Sequence, residues 1–147
     1  MNSLPGVRQV RPDVCQAADM KFPHESLVAW QRADDLFISV HLLSKKNFPH
    51  DERFALTSQT RRAAFSVAAN IVEGRARKHT RERAQFLRTA WASLAELSYC
   101  LHAATRLGYL SKPEHEAIET ELRSVAAPLF GLMKQVEGNA VPASPNP

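Results

Sequence analysis

Cysteine is scarce in this chain, with two among 147 residues. Cys15 and Cys100 form no C-x-x-C pair, so neither a zinc ribbon nor a disulfide framework is indicated, and a reduced cytoplasm is the expected compartment. The five glycines are dispersed, which excludes a glycine-rich phosphate loop. No apolar run reaches the roughly 18–20 residues that span a bilayer. The N-terminal stretch also lacks the continuous apolar segment of a secretory signal. No membrane partner and no small-molecule substrate are expected. Period-two alternation is absent over any useful length, so no sheet is expected. A di-iron bundle would need Glu-x-x-His, which sets two ligands on one helix face. No glutamate here is followed three residues later by histidine: Glu96 leads to Tyr99 and Glu114 to Ala117. Neither metal nor cofactor is expected. The six scattered histidines read as packed or surface residues, and Cys100 as a buried structural thiol more than a nucleophile.

Helical periodicity is plentiful. Residues 24–47 repeat Leu27, Trp30, Ala33, Phe37, Val40 and Ser44 at steps of three and four, with Leu36 and Leu43 widening that stripe, and should end before Phe48-Pro49. A second helix is expected over 51–74, with Asp51 and Glu52 at its positive end and Gly74 as a left-handed stop. A third runs from an N-cap at Thr80 to Leu107. It carries a heptad seam of Leu87, Ala90, Leu94, Leu97, Leu101 and Ala104, and Gly108 ends it. Ser111-Lys112-Pro113-Glu114 is a capping box opening a fourth, whose apolar phase passes through Pro128 and predicts a kink over 124–128. The expected fold is therefore all-α, an antiparallel up-and-down four-helix bundle over 24–138. A flexible arm (1–23) is expected before it and a disordered tail (139–147) after it.

Positive charge is local. The net charge is +4, yet residues 59–88 alone carry +6, leaving −2 for the remainder. Arg75, Arg77, Lys78, Arg81 and Arg83 fall within nine residues at the expected turn between helices two and three, and Arg61 and Arg88 flank them. Planar guanidinium groups match phosphate oxygens in pairs, and the amides of a helix N-terminus lie at the same place. These seven residues are the candidate nucleic-acid contacts. Aromatics are nearly absent around them, which favours backbone or shape recognition over base stacking; Phe65 and Phe86 are expected in the core. A solvated turn with loose arginines is the plain alternative.

A polar row, Gln59, Arg62, Ser66, Asn70 and Glu73, runs down the second helix beside small residues that would admit a close neighbour. It predicts a half-buried hydrogen-bonded network between helices two and three or between subunits. Arg62 and Glu73 lie about 16 Å apart along the axis, so each needs a partner from another helix or chain.

The run Phe48-Pro49 through Gln59, then Arg61-Arg62-Ala63-Ala64 and Ser66-Val67-Ala68-Ala69-Asn70-Ile71-Val72-Glu73-Gly74, resembles the bacterial four-helix bundle protein family, also called the intervening-sequence ribosomal RNA or S23 family. Val28–Ala33, Ala90–Leu97 and Leu107–Leu110 fit it too, and the resemblance covers about 22–136. His41 and Ala68-Ala69 depart mildly from the family pattern. The resemblance implies a ring-like homopentamer with no enzyme activity. It also implies a tie to ribosomal RNA insertions or to diversity-generating retroelements, where a related basic pentamer binds reverse transcriptase and nucleic acid. It marks Gln59, Arg62, Ser66, Asn70, Glu73 and Gly74 as architectural. Together these readings predict a non-enzymatic oligomeric accessory factor that binds nucleic-acid backbone, RNA above all. The rival is a protein-interaction scaffold whose arginines pair with acidic residues of a neighbour's fourth helix, such as Glu114, Glu116, Glu119 and Glu121.

Overall fold

The computed structural model describes residues 19–140. Four helices contain most of them: α1 (Val28–Asn47), α2 (Leu56–Ala76), α3 (Thr80–Arg106) and α4 (Lys112–Ala140). Each packs on its neighbour in sequence and α4 closes back on α1, while the diagonal pairs stay apart. The result is an up-and-down four-helix bundle, with no strand among the described residues.

The core follows the apolar phase of each helix. Leu36, Ile71, Leu97, Leu101 and Leu129 are sealed in its centre, and the whole predicted α3 seam is buried. On α1 the buried line is Ala29, Ala33, Leu36, Val40 and Ser44, which keeps four residues of the predicted stripe and takes Ala29 in place of Trp30. Trp30 and Phe37 only flank it. The small residues Ala29 and Ala33 face inward, and the bulky aromatics cover the seam from the side. Phe65, expected inside, is 58 % exposed because α2 turns Ala64 and Val67 to the core instead.

The helix ends correct several boundaries. α1 starts at Val28 because residues 22–27 form turns, with the Leu27 amide bonded to the His24 carbonyl. Phe48, ahead of Pro49, is extended at ψ 136°, as the proline ring requires. Asp51 and Glu52 lie in a 3-10 turn, His50–Glu52, ahead of α2 rather than inside it. Glu52 still serves the α2 N-terminus from there. One carboxylate oxygen accepts from the Leu56 amide at 3.1 Å, and the other accepts from the Tyr109 hydroxyl at 2.9 Å. That carboxylate raises the Tyr109 phenol above its ordinary pKa.

α3 is closed by a Schellman motif. Gly108 adopts φ 81°, the Tyr109 amide reaches the Ala104 carbonyl and the Gly108 amide reaches Thr105. The Ser111–Glu114 capping box forms as expected: the Ser111 amide donates to Glu114 Oε2 at 2.9 Å and the Glu114 amide to Ser111 Oγ at 3.3 Å. Asn47 Nδ2 donates to the other Glu114 oxygen, tying the end of α1 to the start of α4. α4 continues past Gly138 to Ala140, so residues 139 and 140 belong to the helix and not to the expected tail. Residues 141–147, and 1–18 of the expected arm with Cys15, lie outside the described residues.

Pro128 leaves the Ser124 carbonyl without its helical donor. Arg32 of α1 supplies one, with its guanidinium 2.9 Å from that oxygen. The replacement bond offsets part of the usual cost of an interior proline and also fastens α1 to α4.

Candidate nucleic-acid interface

The antiparallel topology gathers the start of α1, the end of α4 and the α2–α3 turn at one end of the bundle. α2 runs through Gly74 to Ala76 and stops at Arg77, whose backbone is extended at ψ 141°. Gly74 is therefore no left-handed stop. It is a buried helical residue, and a Cβ there would come within 3.2 Å of Phe86 Cβ and 3.4 Å of the Arg83 carbonyl. Its lack of a side chain is what lets α2 and α3 converge at the turn.

The turn is rigidified by two of its own arginines. Arg83 Nε donates to the Arg77 carbonyl at 2.6 Å. The Arg77 guanidinium donates to Glu73 at 3.0 Å and lies 4.9 Å over the half-buried Phe86 ring. α3 begins at Thr80 with His79 in the N-cap position, one residue before the expected cap and without a side-chain capping bond. Arg75, Lys78 and Arg81 are exposed and form no hydrogen bond or ion pair among the described residues. They leave three free cations on a fixed scaffold.

The two flanking members of the candidate set are placed differently. Arg61 is half-buried, with Nε 2.8 Å from Ser44 Oγ on α1, and stands about 21 Å along the helix from Arg75. It joins α1 to α2. Arg88 reaches Glu137 and Gln85, each at 3.4 Å, and binds α3 to the last turns of α4.

Three members of the polar row, Gln59, Ser66 and Asn70, form hydrogen bonds at the α2–α3 seam, the most extensive helix–helix contact of the bundle. Ser66 and Ser93 hydroxyls meet at 2.8 Å, Asn70 Nδ2 donates to the Ser66 hydroxyl and carbonyl, and Gln59 bonds Glu96. Glu73 finds its partner in Arg77, at the end of its own helix, so no other helix or chain is needed. Arg62 is exposed and has no partner among the described residues.

Two surface features escaped the sequence reading. One is a cleft of about 170 Å³ at the basic end, between α2, α3 and α4, with Arg75 and Arg83 on it. The other is an apolar groove of about 450 Å³ between α1 and α2, where Phe37 meets Phe65 edge-on at 5.7 Å above Ala68 and Ala69. The displaced phase of Phe65, beside rather than on the core stripe, is the sequence signal for that groove. A second exposed aromatic pair, Trp91 with Phe130, lies on the α3–α4 face.

Cys100 is buried, and burial pushes its thiol above the ordinary value, which makes it a poor nucleophile. No cluster of His, Cys, Asp and Glu among the described residues is placed to hold a metal ion. No helix among them is long and apolar enough to cross a membrane.

The family model described as 23S rRNA-intervening sequence protein matches residues 25–131. A crystal structure of a protein of unknown function from the S23 ribosomal protein family of Bacteroides thetaiotaomicron shares the fold. Its TM-score is 0.67 at 20 % identity, over 73 % of this chain and 99 % of that one. No curated protein matches the chain.

Proposed function

The chain belongs to the 23S rRNA-intervening sequence protein family, and from that premise we propose that it is a non-enzymatic, oligomeric RNA-binding accessory factor of the cytoplasm that grips nucleic-acid backbone with its α2–α3 turn. The observation that carries the reading is the trio Arg75, Lys78 and Arg81. These side chains are exposed and unneutralised, on a turn already braced by Arg77 and Arg83. That bracing favours phosphate contact, because side chains presented from an ordered base lose less entropy on binding.

Assembly into a ring, a pentamer by resemblance, is part of the proposal. The Phe37–Phe65 groove and the Trp91–Phe130 pair occupy opposite faces of the bundle. Two different apolar patches suit head-to-tail contacts, which form a ring where the rotation between subunits closes. A reverse transcriptase is the protein partner that the retroelement resemblance adds.

The scaffold alternative draws less support. Three of its four acids, Glu114, Glu116 and Glu119, already pair with Lys46, Lys112 and Arg123 of their own chain, which leaves Glu121. Reversing Arg75, Lys78 and Arg81 together to glutamate separates the readings. We expect unchanged oligomeric mass by light scattering and lost RNA binding. A changed mass with no RNA binding by the unmodified protein would favour the scaffold.

A further inference from the structure

The cleft at the basic end has two chemically distinct parts. Ile71, Leu87, Leu132 and Val136 give it apolar walls. Gln135 and Asn139, one turn apart on α4, place two amides at its edge, and Arg75 and Arg83 supply two guanidinium groups on the side of the turn. The nearby carboxylates are engaged elsewhere, Glu73 by Arg77 and Glu137 by Arg88. Its volume of about 170 Å³ is well below the roughly 300–1,000 Å³ of sites for drug-sized molecules. It is nearer to cavities of about 150 Å³ that take one benzene-sized ring, so a two-ring purine would enter it in part, with its polar edge at the rim. Apolar walls around one flat ring, amides for its polar edge and cations for an adjoining phosphate describe a nucleotide.

We infer that this cleft takes one unpaired nucleobase of a bound strand, with the flanking phosphate on Arg75 and Arg83; the inference rests on the nucleic-acid reading above. A base paired in a duplex cannot enter, whereas an unstacked base in a single strand, loop or bulge can. The amides of Gln135 and Asn139 suit the adenine edge, which offers a donor beside an acceptor. The scarcity of aromatics near the turn pointed to backbone contact alone. Aliphatic walls contributed by α4, some fifty residues away in sequence, change that expectation.

The test compares labelled adenine-rich single-stranded RNA, the same strand with abasic positions, and a blunt RNA duplex, all at one salt concentration. The full chain should bind the intact strand about tenfold tighter than the other two. Val136→Trp, which fills the cleft, and Gln135→Ala, an exposed change that spares folding, should each reduce that preference and leave duplex affinity unchanged. Equal affinity for intact and abasic strands would overturn the cleft assignment and leave backbone binding standing. Absence of binding to all three at low salt would overturn the nucleic-acid reading and this inference with it.

Discussion

A methyl group at Gly74 would already press on Phe86 Cβ and the Arg83 carbonyl, at 3.2 and 3.4 Å. Alanine there gains helix propensity and meets modest crowding, so the two effects oppose. Valine adds two more carbons in a space with no slack. Gly74→Val should lower stability by about 2 kcal/mol, read as a reduced urea midpoint at unchanged slope. An unaltered midpoint would show that the α2–α3 approach is not limited by this residue. Gly74 also illustrates what a sequence conveys at this scale. Its position near the end of an apolar pattern marks it as important, but a stop and a close approach look alike until the facing residue is known. Phe86 is twelve positions away, and its contact depends on how α3 folds back. The Ser66–Asn70 pair was easier to read, because spacing of four puts both on one helix face whatever lies opposite. Its partner Ser93 was not, since nothing in the spacing singles out one serine of α3.

Helix type and order were legible from periodicity, and the seam of α3 was correct residue by residue. Boundaries were less so where side chains outside the helix do the capping. Glu52 was recognised as suited to a helix N-terminus, yet it acts from the 3-10 turn, four residues before the amide it bonds. α4 shows two further devices. Arg32 replaces the donor that Pro128 removes, so Arg32→Ala should cost about 1 kcal/mol in the native background. It should cost almost nothing beside Pro128→Ala, where the new amide bonds Ser124 itself. Equal costs in the two backgrounds, measured by chemical denaturation, would contradict this account. At the start of α4, bonds from the Ser111 amide and hydroxyl, with Asn47 assisting, hold the Glu114 carboxyl below its ordinary pKa of 4.5. The folded state therefore binds this proton less readily than the unfolded chain. Stability from Glu114 is present above pH 4.5 and fades as pH falls through that value toward the lower folded one. Glu114→Gln should be less stable than the native chain near pH 7, with the gap narrowing below pH 4.5. A gap independent of pH would exclude the charge as its source.

At the scale of the whole molecule, the two ends of the bundle use their charged groups differently. The end formed by the α3–α4 turn and the start of α2 is cross-linked by Glu52 and Glu114, acidic groups satisfied by amides and hydroxyls. The opposite end carries Arg75, Lys78 and Arg81 free on a braced turn beside a small cleft. The basic cluster was visible in the sequence because it is contiguous. The cleft was not, because its walls come from three helices. The sequence also could not show that Arg61 and Arg88 serve the fold, a division set by Ser44 and Glu137 on other helices. The central claim is that the braced turn grips phosphate, and salt tests it most directly. Three to five phosphate contacts with single-stranded RNA predict that the logarithm of affinity falls against the logarithm of salt with a slope of about −2 to −3.5. That is roughly a twentyfold to hundredfold loss between 50 and 200 mM. The Arg75, Lys78 and Arg81 triple reversal should abolish both the affinity and its slope. Binding that ignores salt, or that survives the reversal, would contradict the claim and move the site elsewhere on the bundle.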